Sequence, residues 1–455
     1  MKKRILAFFL MVLLAVCPIL SACGEYATEE TDGKLTMYTV GEHGDALNEF
    51  VKKYNKYCAV NDCFEDSVEF ICFDDFTQLN DTLSTELMAG KGPDILSLTQ
   101  SLPFEKLVSN KSLADIDRLL SDSSVNINFD DYNKTIMDSG VVNGKRVLLP
   151  LYYSVDVLFT TQERLEEFGI DIEKENISQI ANKINSENID THLVCPYSAD
   201  SFYFSFIRNF IDLEKGTTDF DSEEFRENAV AFKKALLNSK TYADLSNFEF
   251  PSEETHSDFL FSCNEFDFYG GSFTDIAEIY HNTCADGVTP VICPDFSRNG
   301  EISANVEIGF GINANCKKTE KAAKFIEYLL SDSSQGYFAG AREDVLDEVG
   351  LSLPVKNSVF ESAFSKAKDY NWYYPEDDAD VAAMKENANE FLEKEYLPLV
   401  QSVKQCHWYG KSSQLSSYLY QNVARITISD YLKDKITLDK FSDKLSSSFN
   451  MYINE

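Results

Sequence analysis

The run Val147-Leu148-Leu149-Pro150-Leu151-Tyr152-Tyr153-Ser154-Val155-Asp156-Val157-Leu158-Phe159 limits the possible folds more than any other segment. Its apolar content marks a β-strand. Pro150, however, lacks the N–H that a central strand must give to its ladder. The run therefore reads as a strand that leaves one lobe and enters another. Chain length agrees, because 455 residues exceed one ordinary hydrophobic core. A hydrophobic fraction of 44% and an aromatic fraction of 13% are ample to fill two.

Upstream of this run the pattern alternates. Lys34–Val40 is a short β-type run ending at Gly41, and Leu47, Phe50, Val51 and Tyr54 follow at helical spacing. Val68–Phe73 reads as a second strand. A helix then carries Leu79, Leu83 and Leu87 and stops at Gly90, and the turn Gly92-Pro93-Asp94 feeds a third strand. Strand, helix, strand, helix, strand is the order of a parallel sheet flanked by helices.

Downstream, Glu163–Phe168 is expected to be helical with Gly169 as its cap. Helices rich in Phe and Tyr follow within 198–213 and 222–237; the density of Phe202, Tyr203, Phe204 and Phe206 marks core. Phe266–Phe273 reads as a strand opening into a turn at Gly270-Gly271, with a helix after Thr274-Asp275. Glu307–Asn313 is a further strand, whose Gly309 and Gly311 permit close backbone approach. Thr319–Leu330 is amphipathic, and residues 376–455 are largely helical.

The first residues are a leader: Lys2, Lys3 and Arg4, then an apolar stretch from Ile5 to Leu20, shorter than the about 20 residues needed to span a bilayer. Leu20-Ser21-Ala22-Cys23-Gly24 resembles the lipobox of bacterial lipoproteins. The resemblance implies cleavage before Cys23, lipidation of its sulfur, and an anchor of two or more acyl chains, since one alone binds marginally. Residues 1–22 are then the signal peptide and 23–33 a polar tether. The expected location is the outer face of a bacterial, Gram-positive cell membrane.

A formal charge of −34 repels nucleic acid and anionic headgroups, which excludes both as partners. The 75 acidic residues are a solvated surface, and no site is assigned to them as a group. Apart from Cys17 and Cys23, the cysteines are Cys58, Cys63, Cys72, Cys195, Cys263, Cys284, Cys293, Cys316 and Cys406, an odd set that cannot pair completely. Many unpaired thiols outside a cell point to an anaerobic habitat, with Cys58 and Cys63 able to bridge locally. Cys72 and Cys293 lie in apolar runs, as small hydrophobes. No zinc spacing, G-x-S-x-G elbow, H-E-x-x-H or Walker loop occurs, so neither a metal, a cofactor nor catalysis is expected.

Several spaced segments carry a family resemblance: Glu86-Leu87-Met88-Ala89-Gly90-Lys91-Gly92-Pro93-Asp94-Ile95; Asn143-Gly144-Lys145 through Pro150, then Tyr152-Tyr153 and Phe159; Leu165–Asp171; Thr289-Pro290-Val291; Gly309–Asn313; Ala322–Leu329; and Leu353-Pro354-Val355. In this order they resemble the extracellular solute-binding proteins of ATP-driven importers, in the family-1 group of maltose-type sugar binders. The resemblance spans about 34–455, although 371–410 carry no family signature. It implies an α/β, two-lobe, periplasmic-binding-protein-like (type II) fold. Each lobe is a mixed sheet flanked by helices, and hinge crossovers join the two. Lobe 1 is expected at 34–150 plus about 300–340, and lobe 2 at 151–299 plus about 341–455.

The function implied is a monomeric lipoprotein that closes around a carbohydrate and delivers it to the permease subunits of an ABC importer. Lipoproteins for a polyamine or peptide, or partners of a sensor, share the same cleft physics. Sugar clefts combine aromatic faces with a few orienting polar groups, at strand ends facing each other across the lobes. The candidates are Glu42 and His43 in the loop after the first strand, Asp94, Tyr152, Tyr153, Gly271, Ser272, Phe273 and Trp372, with Trp408 as a further aromatic. Each has a structural alternative. Asp94 can simply fix a turn, Glu42 and His43 can be plain loop residues, and only one of Tyr152 and Tyr153 can face the cleft if both lie on a strand.

Overall fold

A computed structural model describes residues 33–41, 47–97, 104–162, 199–212, 216–238, 269–273, 290–294, 303–338, 353–369, 389–407 and 419–454, with isolated positions in 165–183 and at 382 and 386. Cys23, Glu42, His43, Trp372 and Trp408 lie outside the described residues. Among the described residues no helix is long and apolar enough to cross a membrane.

Strand β1 (Leu35–Val40) buries Leu35, Met37 and Thr39 and leaves the alternate positions half-buried, the period of two that a sheet imposes. Helix α1 (Leu47–Val60) buries Leu47, Phe50, Val51, Tyr54 and Cys58, one stripe at helical spacing. β2 (Val68–Phe73) follows, then α2 (Phe76–Met88), whose cap Asp75 accepts a 2.8 Å bond from Gln78 N. Gly90, at φ +71°, ends it, and Lys91 N donates back to Glu86 O at 2.8 Å. β3 (Ile95–Ser97) and β2 both pair parallel with β1, so the parallel sheet expected from the alternation is present.

Short helices α3 (Phe104–Ser109), α4 (Ile116–Ser121) and α5 (Lys134–Asp138) lead to a hairpin of β4 (Val141–Val142) and β5 (Lys145–Arg146). Its turn residues Asn143 and Gly144 both have positive φ, 52° and 76°, as a two-residue hairpin turn requires. The proline-interrupted run is one strand, β6 (Leu149–Thr161). Pro150 is its second residue and sits opposite Gly309 beside a register irregularity, where a missing donor costs least.

The rest of the described chain comprises α6 (Ala199–Arg208), the hairpin of β7 (Ile211–Asp212) and β8 (Thr217–Thr218), α7 (Glu223–Asn238), β9 (Tyr269–Phe273), β10 (Pro290–Pro294) and β11 (Ser303–Ile312). After these come α8 (Thr319–Leu329), α9 (Asp332–Phe338), β12 (Leu353–Pro354) and α10 (Asn357–Asp369). A π-helical turn (Leu392–Tyr396) runs into α11 (Leu397–Gln401) and β13 (Gln405–His407), and a second one (Leu419–Ala424) runs into α12 (Arg425–Leu432) and α13 (Leu438–Asn454). The main sheet has the order β10-β6-β11-β3-β1-β2, with β9 and β12 also on β6 and β13 on β11.

Two expectations need correction. Gly270 and Gly271 lie inside β9, opposite Leu158 and Val157, rather than in a turn. Cys72 is solvent-exposed because β2 is the edge of the sheet, so it does not fill a core. Gly311 meets its expectation: a Cβ there would lie 2.7 Å from Leu113 Cδ2 and 3.2 Å from Val147 O.

The described apolar residues gather into two cores. The first takes β1–β3, α1, the start of β6, β11 and α8; Phe325 packs edge-on to Tyr54 at 5.2 Å and to Phe310 at 5.5 Å. Each such ring contributes about 2–3 kcal/mol of burial. The second consists of α6, α7, α12 and α13 and is built on aromatic stacking, with Tyr431 over Phe441 at 4.2 Å and Phe206 over Phe225 at 5.7 Å. Tyr203, Phe204 and Phe206 are buried in it, as their density in the sequence implied. Leu353 through Cys406, expected with the second lobe, supply side chains to the first core, while Leu419 onward joins the second. Among the described residues, core membership changes between Val155 and Leu165, between Phe232 and Ala304, and between Cys406 and Leu419.

Candidate binding site at the strand crossover

β6 is the strand on which the sheet changes partners. From Leu149 to Val155 it pairs antiparallel with β11, and β12 joins it at Tyr152 and Tyr153. From Val155 to Thr161 its partners are β9 and β10. The register opposite β11 slips twice between Val306 and Gly309, a bulge that bends the strand at the changeover.

The crossover holds a buried polar group. Ser154, fully buried, donates through its hydroxyl to Glu307 Oε1, and Asn305 is paired with Ser154 across the strands. Asn305 Nδ2 is buried with no hydrogen-bond partner, a costly state for an amide donor. Sequence reading missed these three residues. They lie about 150 positions apart, and nothing local distinguishes one serine or asparagine from another.

Beside the crossover lies a cavity of about 340 Å³. Its lining includes Tyr153, Pro354 and Phe360 and Phe364, whose rings stack at 6.4 Å and 18°. Leu397 and Val400 of α11 line it as well; Asn133, Glu361 and Gln401 supply polar groups. An apolar lining with few polar groups is the usual make-up of a small-molecule pocket. Burial pushes the Tyr153 phenol well above its ordinary value, and a hydrogen bond with Asn133 acts in the opposite sense.

The described candidates separate into two places. Tyr153 lines the cavity, whereas Tyr152 is fully buried, packs on Phe50 and donates its hydroxyl to Gln335 O. Gly271, Ser272 and Phe273 pair with Val157, Asp156 and Val155, on the same crossover strand as the two tyrosines. Asp94 does not join them. It is 8% exposed, and its Oδ2 accepts from Thr36 N at 2.9 Å and Thr36 Oγ1 at 3.0 Å and ion-pairs with Lys318 Nζ at 2.9 Å. Its carbonyl accepts from Asn313 N, whereas Tyr153 lies opposite Val306 on the same strand. Seven residues of extended chain separate the two levels by roughly 20 Å.

Among the described residues no group of three or more His, Cys, Asp or Glu is arranged to hold a metal ion. No family model matches the sequence, and comparison with curated proteins gives no match. Solved structures do match. A periplasmic oligogalacturonide binding protein from Yersinia enterocolitica superposes with TM-score 0.57 at 12% identity, covering 92% of this chain and 99% of its own. An ABC substrate-binding protein from Listeria monocytogenes in complex with cycloalternan gives 0.52 at 15%, covering 93% and 99%. UgpB from Mycobacterium tuberculosis in complex with glycerophosphocholine gives 0.52 at 13%, covering 93% and 99%. The chain has the two-lobe, mixed α/β, periplasmic-binding-protein-like fold, its sheets flanked by helices.

Proposed function

We propose that this chain is an extracellular solute-binding lipoprotein of an ABC importer, which captures a sugar or oligosaccharide between two closing lobes and presents it to a membrane permease. The observation that carries the reading is the change of partners along β6 within one sheet, from β11 at Leu149–Val155 to β9 and β10 at Val155–Thr161, because a strand that changes partners in this way can act as a hinge. A ligand that touches both lobes stabilises the closed form through its higher affinity for that form. The lobes follow the two cores: lobe 1 from β1 to the start of β6 with β11 through β13, lobe 2 from α6 and α7 with α12 and α13. The aromatic side chains of Tyr153, Phe360 and Phe364 in the cavity lining suit the C–H face of a sugar ring. Gly271, Ser272 and Phe273 on the crossover, and Glu42, His43 and Trp372 outside the described residues, complete the proposed contacts.

A thermal-shift screen with neutral mono- and oligosaccharides, glycerophosphodiesters and polyamines tests this. A sugar at about 100 times its Kd is expected to add about 2.7 kcal/mol to folding stability, with little dependence on salt. A shift given only by a polyamine, and weakening as salt rises, would replace sugar with a cationic cargo. The anchor has its own test. Cys23→Ala is expected to leave either an unprocessed chain that keeps residues 1–22 or a chain detached from the membrane, and processing and membrane retention both unchanged by the substitution would remove the lipid from the proposal.

A further inference from the structure

Helix α1 ends in a turn built from two cysteines. Asp62, at φ +55°, takes the left-handed position, and Cys63 N donates to Cys58 O at 2.9 Å. That is the six-to-one bond of a Schellman ending, in which the side chains of the two bonded residues meet over the turn. The motif usually brings two hydrophobes together there; in this chain both are thiols. Cys58 is fully buried in the first core, and Cys63 packs against that core while keeping partial access to solvent. A direct backbone hydrogen bond holds the two α-carbons within the span of about 4.4–6.8 Å that a disulfide bridges.

We propose that Cys58 and Cys63 are a redox pair that closes a disulfide across the C-terminal turn of α1 when the protein meets an extracellular disulfide oxidant. The Cys63 thiolate attacks a disulfide of the exchange partner, forming a mixed disulfide and releasing one partner sulfur as thiolate. Cys58 then attacks the Cys63 sulfur and expels the second partner sulfur. In sum the cysteines lose two electrons and two protons, and the partner gains them as two thiols. The order follows from access and acidity. Cys63 is the reachable sulfur, whereas burial, with Cys63 and Asp66 adding to it and a Tyr54 hydrogen bond opposing it, pushes the Cys58 thiol up to about 11.

The test uses the purified full chain. It is held in oxidised glutathione, denatured, alkylated and digested on the N-terminal side of aspartate. Cleavage at Asp62 separates the two cysteines, so a bridge is seen as two peptides joined through sulfur. The expected result is a linked Cys58–Cys63 pair in most molecules, with Cys72 and Cys316 alkylated. Cys63→Ser, a nearly isosteric change at a partly exposed position, is expected to abolish the linked species and leave Cys58 alkylated. The proposal is overturned if Cys58 and Cys63 are both alkylated in the wild-type chain. It is equally overturned if Cys63 carries glutathione while Cys58 stays free, or if either is joined to Cys72.

Discussion

Raising the pH from about 9 to above about 12 is expected to unfold the protein cooperatively, with the buried tyrosines ionising in the same transition. Tyr54, Tyr132, Tyr153 and Tyr203 are at most 6% exposed, and burial is the main cause that holds each phenol well above its ordinary value. Tyr431, 4% exposed, is pushed up to about 12 by burial, with Asp434 adding to it. A group whose folded pKa exceeds its unfolded value stabilises the fold fully below the unfolded value, about 10 for tyrosine, and loses that contribution as pH rises toward the folded one. Above about pH 10 each such phenol removes about 1.4 kcal/mol per pH unit, so five remove about 7 kcal/mol per unit. Against a typical stability of about 5–15 kcal/mol, the midpoint falls between about pH 10.7 and about pH 12. With reductant present, Cys58 and Cys316, raised to about 11 and about 12 chiefly by burial, add the same sign from about pH 9. Circular dichroism and phenolate absorbance followed together measure this. Phenols that titrate near pH 10 with the helix signal intact would show that the aromatic cores admit water.

The two aromatic cores behind this expectation were legible in the sequence because their signals are local. Val68–Phe73 is a strand with the bounds its apolar run gave, and Thr319–Leu329 is a helix one residue shorter than its apolar stripe. Repeats of two and 3.6 residues are printed along the chain, and burial on one face follows from them. Which core a segment joins is a different kind of fact. Phe364, Phe391 and Tyr396 could have packed in either core, and only distant partners place them in the first. The exposure of Cys72 has the same origin, since β2 is an edge through the sheet order and not through its own residues. At the site, Tyr153 and the crossover were visible in the proline-broken run, but Ser154, Glu307 and Asn305 meet only after folding.

Asp94→Asn is expected to cost about 3 kcal/mol of stability and to leave ligand affinity nearly unchanged. The carboxylate is the centre of a knot: Thr36 donates to it twice, and Lys318, 224 residues away in sequence, supplies its charge partner. Both side chains are mostly buried, at 10% and 15% exposed, so neutralising one leaves the other charge poorly solvated, and breaking a buried pair from one side costs about 3–5 kcal/mol. The knot also holds the turn that starts β3. Asn313 Nδ2 donates to Lys91 O and Pro93 O, and Asn313 N donates to Asp94 O, tying that turn to the end of β11. Asp94 lies at the N-terminal end of β3, whereas the parallel strands β1 and β3 point their C-terminal ends toward the crossover, the edge where open α/β sheets bind ligands. Pairing Asp94→Asn with Lys318→Met separates the two roles. If the knot is structural, the double substitution recovers part of the lost stability, because the stranded ammonium is gone. Thermal unfolding of the single and double variants, with ligand titration of each, measures both quantities. An unchanged melting point with a collapsed affinity would return Asp94 to the binding site and require a ligand that reaches the far edge of the sheet.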